Sequence, residues 1–271
     1  MTATKRTVDI PTVAGLAIVA YLTTTLLHEA GGHGGMCLAL GDHPVGWGAY
    51  YFDCDTHAGP AWKFRLIAAA GSTVNLIVAL ITGIWLETHL FRPVARGIGA
   101  ALIWLFFVIN ALTWAGYFLF SGVMGFGDWG TGPDSVLTGL QNGLLLRIAM
   151  AISGGFLYFL CIRLGARWLS ALVGGAHREL GRRIAFTAYV TGGATAVVIG
   201  LFNPVGWVIV LLSAAASSLG GTIGLFNTVQ FMPAEPAESE FTLPRNWLWI
   251  ALGIATALVY GWVLGPTIRL G

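Results

Sequence analysis

Residues 10–35 read IPTVAGLAIVAYLTTTLLHEAGGHGG: a largely apolar run from Ile10 to Leu27 leads straight into His28, Glu29 and His33, interleaved with Gly31, Gly32, Gly34 and Gly35. A hydrocarbon layer about 30 Å thick takes roughly 20 helical residues to cross, so the run is close to a full span. A charged group near the bilayer centre costs at least about 2.5–3.5 kcal/mol. Three ionisable side chains at the end of such a run therefore need a compensating partner. A metal ion is one, because its charge makes neutral imidazole and carboxylate favourable neighbours. The plainer reading is a polar helix end at the interface, satisfied by water.

The rest of the chain is equally apolar. Hydrophobic residues make up 56% of the 271, charged residues 10%, and the mean hydropathy is +0.77, beyond what a soluble domain carries. Further spans are expected over about 66–86, 98–120, 144–162 and 247–264. The stretch 185–231 is long enough for two crossings, with a turn at Asn203-Pro204, since proline lacks an amide donor and disfavours helix before it. The expected fold is all-α: a polytopic transmembrane bundle of six to seven spans, with a short strand or re-entrant loop after the first. The expected division is a membrane core of three spans over residues 1–143, followed by additional transmembrane helices over 144–271.

Lys5 and Arg6 precede the first span, Arg92 and Arg96 follow the second, and Arg163, Arg167, Arg178, Arg182 and Arg183 cluster after the fourth, whereas 121–142 holds neither Lys nor Arg. That bias predicts an integral, multi-pass membrane protein with a cytoplasmic N-terminus. Lys63 and Arg65 are exceptions, expected in a segment folding back toward the membrane, and the side of the 232–245 loop is open. The net charge of +2 is mostly this bias, and gives no case for nucleic acid as a partner. The N-terminal run is read as an anchor that stays, because cleavage as a signal peptide would strand the motif. Cys37, Cys54 and Cys161 have no C-x-x-C spacing and read as small apolar residues.

His-Glu adjacency followed by a second His is an arrangement zinc hydrolases use, with imidazoles as ligands and Glu as general base. Here the histidines are five apart. At about 100° per residue, positions five apart point about 140° from each other on a regular helix. Gly31 and Gly32 tolerate a π-bulge or local unwinding that brings the pair back to one face. The rival geometry keeps the helix regular and uses Glu29 and His33, four apart, leaving His28 behind them. A third ligand is expected from Asp128 in SGVMGFGDWGTG (121–132), with Asp134 as an alternative. Asp53, Asp55 and His57 in FDCDTHAG (52–59) read as a solvated loop or, less simply, a second metal site. Asn110 reads as a helix-packing polar group, and Arg147 as a side chain snorkelling outward.

LLHEAGGH at the end of the first span, followed by AAAGSTVNLIVAL (68–80), resembles the site-2 intramembrane zinc metalloproteases, which pair a His-Glu-x-x-His helix with a Gly-x-x-x-Asn helix and a later aspartate. The second element maps to Gly71 and Asn75, with Ser72 where that family usually has proline. The third maps to Asp128 within GDW, without the flanking residues common in the family. The resemblance covers about residues 15–130. It implies a three-helix core, a Zn2+ held by His28, His33 and Asp128 below the membrane surface, and Glu29 as general base. Gly71 and Asn75 are then substrate-contacting, although Asn75 equally suits close helix packing. The implied partners are the lipid bilayer and membrane-protein substrates with spanning or juxtamembrane helices. Two other classes fit the same residues: a relative that binds metal or a partner without cleaving, and a transporter or proton relay.

Overall fold

The computed structural model describes residues 7–56, 59–90, 97–174, 177–204, 206–207, 210–233 and 241–270. Lys5, Arg6, His57, Arg92 and Arg96, which entered the charge and loop readings, lie outside them. Helix α1 (Ile10–Leu26) runs into a π-helical segment, Leu27–Gly34, and on into α2 (Gly35–Ala39) without a break. The ionisable motif therefore sits inside a 30-residue helix and not at its end. Wider turns absorb the extra residue while keeping the backbone hydrogen-bonded, so the glycines do not terminate it.

A hairpin follows: β1 (His43–Gly48) and β2 (Tyr51–Asp55), antiparallel, with Trp47 opposite Phe52 and Gly48 opposite Tyr51. Near the C-terminus β3 (Ile268–Arg269) pairs with the other edge of β1, giving the order β2-β1-β3 and leaving β2 at the edge. The long helices are α3 (Ala61–His89), α4 (Ile98–Met124), α5 (Gly143–Val173) and α6 (Arg178–Gly200). Together with Ile10–Ala39 they make five helices long and apolar enough to cross a membrane, the organisation of a membrane-embedded, multi-pass protein.

The second crossing expected within 185–231 is not one regular helix. It is a second π-helical segment, Val210–Gly220, a turn, the short α7 (Gly224–Asn227) and a 3-10 turn, Thr228–Phe231. Helix α8 (Trp247–Val263) has 17 residues. It starts beside the N-terminus, where Leu243 bridges Val8 and Arg245 Nε lies 3.1 Å from Asp9 Oδ1, and ends at β3 against the hairpin. Residues 241–245 thus lie at the end of the bundle where α1 begins.

Buried apolar residues form a main core, in which the fully buried Trp104 donates from Nε1 to the Gly165 carbonyl at 2.9 Å, and a smaller cluster around Leu22, Tyr50 and Tyr260. Lipid tails are as apolar as leucine, so helices associate by close packing, and small residues allow it. A Cβ on Gly15 would stand 2.3 Å from the Trp249 carbonyl oxygen, and one on Gly154 2.4 Å from the Leu119 nitrogen. These contacts fix α1 on α8 and α4 on α5.

Three sequence expectations are corrected here. Cys37 and Cys54 form a disulfide, tying α2 to β2, while Cys161 is a buried free thiol as expected. Arg147 does not snorkel: it donates to the Gly122 and Val123 carbonyls, which a helix end leaves without partners. Lys63 and Arg65 lie in the first turns of α3, where Lys63 bonds Asp42 and the Leu40 carbonyl, and Arg65 the Thr138 carbonyl.

Candidate metal centre

The π-helical turns carry His28, Glu29 and His33, all buried, on one face. The two Nε2 atoms are 3.2 Å apart, and candidate ligand atoms of the three side chains lie within 4.8 Å of one another. Glu29 Oε2 is farther from His33 Nε2, at 4.0 Å. The histidine pair is therefore the inner one, not the Glu29–His33 pair that a regular helix would align.

Asp128 reaches the same point from the loop after α4. Its Oδ2 lies 3.2 Å from His28 Nε2 and 3.6 Å from His33 Nε2, and makes no hydrogen bond. Trp129 holds this loop, donating from Nε1 to Ser72 Oγ at 2.7 Å and stacking on Phe118. Burial pushes the Asp128 carboxyl up, but His33 and His28 beside it hold it below its ordinary value, as an anionic ligand requires.

Three observations bear on whether a metal fits. His33 Nδ1 lies 2.7 Å from the Ile67 carbonyl, which can only accept, so Nδ1 carries hydrogen and a neutral ring presents a lone pair at Nε2. Ligands of a tetrahedral ion with bonds of about 2.0–2.1 Å stand about 3.3 Å apart, close to the 3.2 and 3.6 Å separations here. Finally, α3 crosses at Gly71, where a Cβ would sit 2.5 Å from His33 Nε2 and 2.6 Å from His28 Nε2. The missing side chain leaves the space where three acceptors converge. Gly32, whose Cβ would meet the Gly71 Cα at 2.4 Å, brings α3 that close.

The other residues named from the sequence fall around this centre. Asn75 is fully buried, with Oδ1 2.6 Å from His28 Nδ1. Gly71 touches the imidazoles. Asp53, Asp55 and Asp134 line a cavity of about 1250 Å3 together with Glu29, His33 and Asp128. His57, third member of the loop set, lies outside the described residues. All of β2 lines this cavity, as do Tyr117, Ser213 and Ser217. A smaller cavity of about 30 Å3 lies against His28 and Glu29. Hydroxyl-bearing side chains line it, Tyr21, Thr24, Thr113, Tyr117, Ser217 and Thr222 among them.

Sequence reasoning missed Tyr117, whose ring stacks on His28 with centroids 4.8 Å apart. It also missed Trp129 as the anchor of the Asp128 loop. Tyr117 lies seven residues after Asn110, two helical turns along the same face, and that spacing could have flagged it. No protein-family model, curated protein or solved structure matches this chain.

Proposed function

We propose that the protein is a site-2 protease-like intramembrane metalloprotease that hydrolyses peptide bonds of membrane-spanning or juxtamembrane segments. The observation that carries this reading is the convergence of His28, His33 and Asp128 on the space Gly71 leaves, with Glu29, His33 and Asp128 all lining a large cavity. Two imidazoles, one carboxylate and an open side match a catalytic zinc set, and a Zn2+ bound there supplies Lewis-acid polarisation of the scissile carbonyl and of the attacking water.

The chain's own groups do the rest. Glu29 accepts a proton from the water as its oxygen bonds the carbonyl carbon, and returns it to the leaving nitrogen as the C–N bond breaks. Pockets for small molecules run about 300–1,000 Å3, so a cavity of about 1250 Å3 suits a polypeptide. The unpaired edge of β2 offers main-chain donors and acceptors to an extended segment. A substrate helix that unwinds can add there as a strand, its backbone passing Glu29.

The cationic end of the bundle, where Arg167 meets Glu87 and Arg178 bonds the Met232 carbonyl, fits a cytoplasmic N-terminus. The disulfide, hairpin and metal centre lie at the opposite end.

The test is Glu29→Gln in purified, zinc-loaded protein with a helical membrane substrate. Cleavage falls by about 10^2–10^4-fold while zinc stays bound; unchanged cleavage removes Glu29 from the mechanism. Zinc held by wild type without turnover leaves a metal-binding relative. A second reading, a proton relay, is favoured by the hydroxyl-lined cavity behind Glu29. It predicts pH-driven flux in liposomes that a chelator leaves intact.

A further inference from the structure

The amide of Asn75 could face His28 with either end, and the two ends have opposite consequences. An oxygen there requires hydrogen on His28 Nδ1 and leaves a neutral ring's lone pair at Nε2, facing the centre. A nitrogen there would put the hydrogen on Nε2, against His33 and Asp128, and abolish the ligand. The choice is made 35 residues away. Asn110, fully buried in α4, donates from Nδ2 to the Phe106 carbonyl and to Thr24 Oγ1, each at 2.8 Å. A carbonyl oxygen only accepts, so the Asn110 amide cannot turn over without setting two acceptors against each other. Its Oδ1 must then accept from Asn75 Nδ2, at 2.9 Å. Asn75 Oδ1 is left for His28 Nδ1–H, at 2.6 Å.

We infer that Asn110 and Asn75 are positioning residues, a polarity relay that transmits the fixed direction of the Phe106 carbonyl through two buried amides to His28, and so holds its Nε2 as a lone pair for a divalent cation. The relay crosses three helices, α4, α3 and the π-helical turn, none of which alone fixes the imidazole. This rests on the metal reading of the same site, and assigns Asn75 to the imidazole in place of substrate. Buried amides in lipid must satisfy each other, and this pair does so in one direction only.

The test separates the two ideas. Nitrogen-15 histidine NMR of the metal-free protein in alkaline buffer reads the tautomer with no metal present. Wild type shows His28 protonated on Nδ1; protonation on Nε2 overturns the relay. Zn2+ affinity, read by competition with a chromophoric chelator, then falls about 10–100-fold in Asn110→Leu and Asn75→Leu, with the His28 tautomers mixed. Asn75→Asp, which keeps an acceptor toward His28, retains Zn2+ binding and the Nδ1–H tautomer. Leucine variants that bind Zn2+ like wild type overturn the relay, and so does an Asn75→Asp variant no better than Asn75→Leu. Should wild type bind no Zn2+ at all, the metal reading falls, and the tautomer measurement still decides the relay.

Discussion

Gly71 and His33 stand so close that a methyl group on the Gly71 Cα would lie 2.5 Å from His33 Nε2. The imidazole cannot withdraw, because Ile67, four residues earlier on the same helix, holds its other nitrogen. Helix α3 thus shapes the centre without supplying a ligand to it.

On the proposed metal reading, Gly71→Ala therefore removes metal binding while leaving every proposed ligand in place. The methyl fills the space between the two Nε2 atoms, so the loss of Zn2+ affinity exceeds the 10–100-fold typical of changes outside the ligands. Overpacking costs about 1–3 kcal/mol of stability. Chelator competition and an unfolding curve on the same sample check both. An alanine variant that binds Zn2+ normally places the ion elsewhere.

The proposed third ligand, Asp128, is positioned through a tryptophan. Trp129→Phe keeps the stacking on Phe118 but loses the hydrogen bond to Ser72, freeing the Asp128 loop. Zn2+ affinity falls about 10-fold, and Ser72→Ala has the same effect. Because both remove one bond, the double variant is no weaker than either single one. Additive losses would mean that the two residues act separately.

How much of this was legible in the sequence varies with how local the cause is. The five-residue spacing of His28 and His33 with two glycines between them pointed to a bulge, against a regular helix aligning Glu29 with His33, and the helix carries π-helical turns there. Long apolar runs exposed the five long helices for the same reason. The Cys37–Cys54 pairing was not legible, because it exists only once the hairpin folds back on α2. Asn110 looked like packing, since its meaning lies in partners 35 and 86 residues away. The broken path from Val210 to Phe231 was hidden because hydropathy reports burial in lipid and not helical regularity.

At the entry to the first helix, Asp9 caps α1, accepting from the Thr12 amide and hydroxyl, with Arg245 beside it. Burial raises the Asp9 carboxyl, but the Thr12 hydrogen bonds and the Arg245 charge outweigh it, so the group sits below its ordinary value of 3.8. A carboxyl whose folded value is depressed contributes stability above the ordinary value and loses it as pH falls through the folded one. Asp9→Asn should therefore be less stable than wild type near neutrality, by less than the roughly 1 kcal/mol lost with a whole cap. The difference should close as pH drops below 3.8. A difference independent of pH would assign the effect to the hydrogen bond alone.

The Cys37–Cys54 disulfide closes a loop with a sequence separation of 17, containing β1 and ending in the strand that borders the cavity. Disulfides persist in oxidising compartments, so this bond makes a statement about topology independent of the arginines at the other end. If the hairpin faces the oxidising side, a membrane-impermeant maleimide added to intact cells after mild reduction labels the half-buried Cys54, while Cys37 and Cys161, both buried, stay unlabelled until denaturation. Labelling only after the cytoplasmic face is opened would invert the orientation. Removing the bond in Cys37→Ser/Cys54→Ser releases a loop of a size worth about 3 kcal/mol, read as a lower midpoint in denaturing detergent. The ligands themselves stay, but Phe52 packs where a Gly34 side chain would be, within the π-helical turns, so a loosened hairpin also loosens the face of the cavity. On the proposed mechanism, in which β2 would bind the segment and Glu29 act on it, substrate cleavage should then weaken through KM more than kcat. An equal fall in kcat with KM unchanged would instead tie the disulfide to the chemistry at the centre.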